Sequence, residues 1–320
     1  MFNLLHMAST ASFLFVSVNA LSVLLVISSK GLLSLWCAME VGFFGIMPIL
    51  MSGSSAESES AFKYFVVQVI GSSLIIISFC FMMAPSIVGS SCWAIFLLGM
   101  MFKLGLFPFH MWVPSVVGFS SWIGCLLLMS VQKVGPYWVI SGFGFESWLS
   151  SVLILSAAIT GVIGAVGGLN QVLIRPLLGY SSLSHSGWLV PLSIVDMKMF
   201  LLYFLTYTAL LLGLLALNSG PISLDDGGAV SLYFLSLGGL PPLLGSFSKM
   251  GATLCLCQFS VALLMVLILS SVVSLCYYVW FFIYKMSLES SSSSFLFTRR
   301  SVTHLLLNSL SGPIILLWLI

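Results

Sequence analysis

Charge is the scarcest property of this sequence. Ten basic and eight acidic residues make up 6% of its 320 positions, against about 25% in a soluble domain. So few charges cannot cover a water-facing surface, which excludes an ordinary soluble globular protein. A net charge of +2 leaves no basic field to attract a nucleic acid. Cofactor and metal patterns are missing too. There is no glycine-rich phosphate loop and no nucleophile motif. The seven cysteines form no Cys-x-x-Cys pair. Cys255 and Cys257 come nearest, but side chains two apart do not face each other on a helix. The thiols read as small hydrophobes. The histidines His6, His110, His185 and His304 are scattered and make no metal-binding pattern. No Arg- and Ser-rich amphipathic arm opens the chain. Its first basic residue is Lys30, after an apolar run over 8–27, so the first helix is expected to stay in the mature protein.

Apolar residues are abundant, 60% of the chain, with a mean hydropathy of +1.20. At roughly 20 residues per crossing, the pattern predicts an all-α, polytopic membrane protein with about eleven spans. They fall near 8–28, 32–51, 61–83, 91–117, 119–141, 148–169, 177–195, 198–217, 229–256, 259–285 and 302–320. Polar loops are expected at 52–60, with Glu57 and Glu59, at 218–228, with Asp225 and Asp226, and at 287–301, with Arg299 and Arg300. Lys63, Arg175, Lys285, Arg299 and Arg300 then fall on the side of the N-terminus, and Lys30 and Lys198 on the other. The N-terminus is expected to face the positive-inside compartment.

Two spans carry breakers at mid-length. One reads Lys103-Leu104-Gly105-Leu106-Phe107-Pro108, the other Leu237-Gly238-Gly239-Leu240-Pro241-Pro242. Proline removes a donor and clashes with the preceding turn. The freed backbone groups survive in a membrane only when buried in protein or lining a hydrated cavity. Broken spans at corresponding places in two halves point to a transport site. The spacing suggests one unit over about 8–141, a second over about 148–285, and a terminal helix over about 302–320.

Four charges sit at membrane depth: Glu40, Lys103, Lys133 and Lys249. Each costs roughly 2.5–3.5 kcal/mol on insertion scales. A buried lysine with a movable acidic partner can load and release a proton. A Gly-Pro pair after Lys133 predicts a kink beside it. Against this stand two plainer readings, lysines snorkelling to the headgroups and a static ion pair through Glu40. His185, among the hydroxyls of 180–188, suits a core hydrogen-bonding group as well as a proton carrier.

These segments together carry a resemblance. Glu40 in its helix, Ala61-Phe62-Lys63-Tyr64-Phe65-Val66-Val67-Gln68, Lys103-Leu104-Gly105 through Pro114, Gln132-Lys133, Gly167-Gly168-Leu169-Asn170-Gln171, Tyr180 through Trp188 and Ser236 through Pro242 with Lys249 follow in order. The chain resembles the subunit 2 family of respiratory complex I, the mitochondrial NADH:ubiquinone oxidoreductase, in its short animal form. The resemblance implies an antiporter-like fold of inverted five-helix repeats with two discontinuous helices. It implies a proton-translocating subunit of a translocase, in which Glu40, Lys103, Lys133, Lys249 and His185 serve the relay. It implies no cofactor in this chain: NADH, flavin, iron–sulfur clusters and ubiquinone belong to partner subunits. The implied partners are other complex I membrane-arm subunits, membrane lipids, protons and internal water. The implied place is the mitochondrial inner membrane, N-terminus on the matrix side. One departure is Pro176-Leu177-Leu178 after Arg175, where the family usually has a lysine. A free-standing cation/proton antiporter and a structural subunit with static ion pairs are the competing functions.

Overall fold

The computed structural model describes residues 10–51, 53–83, 89–142, 147–218, 227–290 and 308–309. The described residues form helices and turns without a strand. Helices α1 to α5 are Thr10–Ser28, Leu32–Leu50, Ser55–Met83, Gly89–Leu104 and Trp112–Phe119. Next come α6 Trp122–Met129, α7 Val131–Gly142, α8 Ser147–Leu169 and α9 Ile174–Val195. The last four are α10 Met197–Asn218, α11 Gly227–Gly238, α12 Leu244–Phe259 and α13 Val261–Ser290. The loop acids Asp225 and Asp226, His6, His304, Arg299, Arg300 and the expected span over 302–320 lie outside the described residues.

Among the described residues, six helical runs are long and apolar enough to cross a membrane by themselves. Eleven spans were expected, and the difference has physical causes. The first span and the two broken ones yield only shorter apolar helices. The serine-rich α9 has the length but not the apolarity. Large apolar side chains face outward along the runs, among them Phe13, Leu24, Leu205 and Leu254, each at least 64% exposed. A water-facing surface does not carry so much contiguous apolar area. Hydrocarbon does not penalise it, and the chain is a multi-pass membrane protein.

Two local expectations need correction. The segment 52–60 is mostly helix, not loop. The Ser54 hydroxyl accepts from the Glu57 amide, an N-cap with acids in the first turns, so α3 begins at Ser55. Glu59 then pairs with Lys63 one turn on, at 2.7 Å. The interruption near Lys133 also falls earlier than the Gly-Pro pair suggests. Helicity lapses at Ser130, where φ is −114° and ψ −75°, and Pro136 lies inside α7. A proline ring acts on the carbonyl four residues before it, here Gln132, so the distortion runs toward the N-terminus. Lys133 therefore sits in the first turn of its half-helix.

Packing divides the chain into two units, residues 8–194 and residues 195 onward. In the first, α3 packs along α4 and α1 along α2, and α7 meets α1, α2 and α4. Helix α9 is buried almost continuously from Leu177 to Ser193. Glycines make that possible: a Cβ at Gly164 would stand 2.5 Å from the Ser184 amide, and one at Gly187 2.8 Å from the Gly161 Cα. Small residues let membrane helices approach this closely. In the second unit, α11 packs against α13 and α10 against both α11 and α12.

Candidate functional site

The two breaks have the same backbone. In the first, the Leu106 amide donates to the Met101 carbonyl at 3.0 Å and the Gly105 amide to Phe102 at 3.3 Å. In the second, Leu240 donates to Leu235 at 3.3 Å and Gly239 to Ser236 at 3.0 Å. Six-to-one and five-to-two bonds closed by a left-handed residue make a Schellman ending. Gly105, at φ +70°, and Gly239, at φ +85°, occupy the left-handed position, which L side chains resist. The peptide bonds Phe107–Pro108 and Pro241–Pro242 are both cis. Beyond the first break, the Phe107 amide donates to the Thr160 hydroxyl of α8 at 2.9 Å. A donor released by the broken helix thus finds a buried protein partner.

Each break has its lysine at a carbonyl end. Lys103 lies in the last turn of α4. Lys249 comes from α12, but its ammonium donates to the Gly238 carbonyl at 2.7 Å, the last residue of α11. Helix C-termini carry partial negative charge, so each ammonium meets a favourable field. Lys103 also donates to Glu40 Oε1 on α2 at 2.7 Å, with the two side chains 4% and 15% exposed. Among the described residues this is the buried ion pair. Glu40 has Tyr64 of α3, itself buried, within electrostatic reach.

Lys133 has no carboxylate within salt-bridge distance among the described residues. Its ammonium donates to the Ser186 hydroxyl at 2.9 Å and the Ser182 carbonyl at 3.2 Å, both on α9. The Ser186 hydroxyl in turn donates to the Ser182 carbonyl at 2.7 Å. His185 is buried in the same turn of α9. The first unit therefore gathers Glu40, Lys103, Lys133 and His185, and the second holds Lys249. Beside Lys103 a cavity of about 20 Å³ opens toward α7, lined also by Ser22, Gln68 and Gln132. That is room for about one water.

Reading the sequence alone misses Ser182 and Ser186 as partners of Lys133, Thr160 as the acceptor at the first break, and Gln132 as a wall of the cavity beside Lys103. The Tyr180–Trp188 segment offered a signal in its serines at 182 and 186, one helical turn apart. Gln132 entered only as the neighbour of Lys133 in one segment of the resemblance, and Thr160 offered no signal, since polar residues inside apolar spans are common. No group of three or more metal-ligating side chains occurs among the described residues.

Similar proteins place the chain in a family and give its fold. A family model described as NADH:quinone oxidoreductase/Mrp antiporter, TM matches residues 29–225. The NADH-ubiquinone oxidoreductase chain 2 of Lumbricus terrestris is 32% identical over 289 residues, 85% of this chain and 86% of that protein. That of Branchiostoma floridae is 33% identical over 280 residues, 81% of each. Among solved structures, a chain of respiratory complex I from Thermus thermophilus superposes with a TM-score of 0.79 at 22% identity, covering 96% of this chain and 80% of that one. A chain of an Mrp complex from Dietzia sp. gives 0.74 at 16%, over 83% and 58%. At these identities the superpositions establish the fold, all-helical and antiporter-like. The family match and the two animal relatives go further: the chain belongs to the NADH:quinone oxidoreductase/Mrp antiporter membrane family, beside the chain 2 subunits of NADH-ubiquinone oxidoreductase.

Proposed function

We propose that this chain is a membrane-arm subunit of respiratory complex I that translocates protons across the mitochondrial inner membrane. NADH-to-ubiquinone electron transfer in partner subunits drives it, and the redox cofactors reside there. The other membrane-arm subunits are its partners. Glu40, Lys103, Lys133 and Lys249 carry the proton, with His185 serving from the α9 turn that holds Ser182 and Ser186. The observation that supports this best is the unequal treatment of the lysines. Lys103 has a carboxylate, while Lys133 is held by a hydroxyl and a carbonyl. One acid cannot neutralise three buried ammonium groups. A relay answers this imbalance, because charge that moves along the line need not rest on all of these groups at once. The duplicated break also supports two five-helix repeats, over about 8–141 and 148–285, with a terminal helix after them.

The test is proton pumping by the assembled complex with Lys103→Met or Lys133→Met, each keeping the bulk and removing the titratable group. Protons moved per electron are expected to fall in both variants while the complex still assembles. Unchanged stoichiometry in assembled complex would leave Glu40 and Lys103 as a static pair. Co-migration of the chain with a large NADH-oxidising complex separates this function from that of a free-standing antiporter.

A further inference from the structure

We propose that Gln132 positions the water beside Lys103, and that Asn19 of α1 sets which way its amide faces. The inference rests on the proton-translocating reading and adds two residues to it.

Hydrogen-bond polarity fixes how both amides face. Gln132 Nε2 donates to the Gly42 carbonyl at 2.7 Å and to Asn19 Oδ1 at 2.9 Å. Asn19 Nδ2 donates to the Phe15 carbonyl at 2.8 Å. Backbone carbonyls accept only, so neither amide can be flipped without setting two acceptors face to face. The order of the chain is thus settled at both ends: Phe15 carbonyl, Asn19, Gln132, Gly42 carbonyl. Both Gln132 donors are used, and its Oε1 has no partner among the described residues. What remains to Gln132 is acceptance.

The cavity supplies the counterpart. Lys103 and Gln132 both line it. A lysine ammonium has three donors, and Glu40 takes one. Gln68, only 6% exposed, lines the same cavity and has no side-chain hydrogen bond among the described residues. A space of about 20 Å³ with a spare donor, a fixed acceptor and a second amide meets the needs of one water, which wants two to four polar partners. That water accepts from Lys103 and donates to Gln132 Oε1, one residue from Lys133. Close packing holds the frame, since a Cβ at Gly45 would stand 2.8 Å from Asn19 Nδ2 and one at Gly42 2.8 Å from the Ser22 hydroxyl.

The assembled complex provides two readouts. A density map that resolves ordered water should show one within hydrogen-bond distance of both Lys103 Nζ and Gln132 Oε1, and an empty cavity overturns the inference. Gln132→Leu keeps the bulk and removes the acceptor. It is expected to lower protons pumped per electron at least twofold in assembled complex, with Asn19→Ala falling between it and the parent. Unchanged stoichiometry in Gln132→Leu alongside a loss in Lys103→Met rejects the role of Gln132 and leaves the relay intact. No loss in either rejects the relay itself. If Gln132→Leu does not assemble, the water in the parent map decides.

Discussion

At the scale of single residues, a polar group buried in an apolar span is defined by its partner. Thr160 is fully buried and receives the Phe107 amide, while its own hydroxyl donates to the Ser156 carbonyl. Thr160→Val keeps the shape and orphans that amide, a loss of about 1–3 kcal/mol. The thermal midpoint of the assembled complex should fall, and an unchanged midpoint would mean that Phe107 finds another acceptor. Lys133 presents the opposite case. Its ammonium is held through Ser182 and Ser186, so Ser186→Ala removes one of two acceptors without touching the lysine. Pumping should weaken less than in Lys133→Met, and proton stoichiometry in matched preparations checks the order. The charges themselves were legible in the sequence, because a lysine in an apolar run is conspicuous. Their partners were not, since Ser182 and Glu40 lie 49 and 63 residues from the lysines they meet.

At the scale of elements, both breaks were legible from glycine and proline, and their geometry follows from those residue types. Gly239 carries two demands at once. Its φ is +85°, and a Cβ there would stand 2.8 Å from Lys249 Cδ. Gly239→Ala should therefore displace the lysine from the Gly238 carbonyl and add roughly 1–2 kcal/mol of backbone strain. The expected outcome is a loss of pumping close to that of Lys249→Met, measured in vesicles carrying the assembled complex. If Gly239→Ala pumps normally, the seating of Lys249 on α11 has no part in transport. The interruption at Ser130 was misplaced in the sequence reading because a proline distorts the turn before it. The helical start of α3 was missed because serines and glutamates read as loop until Ser54 is seen as a cap.

At the scale of the whole molecule, orientation follows from loop charge. The N-terminus and the 287–301 segment are expected on the matrix side. Arg175 adds an anchor consistent with this: its guanidinium lies 4.8 Å from the Trp122 ring centre, and the span order puts both residues on that same side. A single cysteine introduced at Ser294, in a background without native exposed thiols, should be labelled by an impermeant reagent only from the matrix face of sealed inner-membrane vesicles. Labelling from the intermembrane side would reverse the topology.

Composition and apolar run length alone determined that this chain crosses a membrane, that glycine and proline break two of its helices, and that four charges fall inside apolar segments. Those are local properties, set by the transfer cost of each side chain and the backbone limits of glycine and proline. Tertiary structure alone decided which lysine holds the acid, that Lys133 rests on serines, that Lys249 caps a helix other than its own, and that Gln68 and Gln132 line the cavity beside Lys103. The Lys249 contact depends on how the chain turns back across the break, 11 residues away; the others depend on helices far apart in sequence meeting at particular faces, and hydrophobic patterning cannot specify a face when lipid and protein interior are equally apolar.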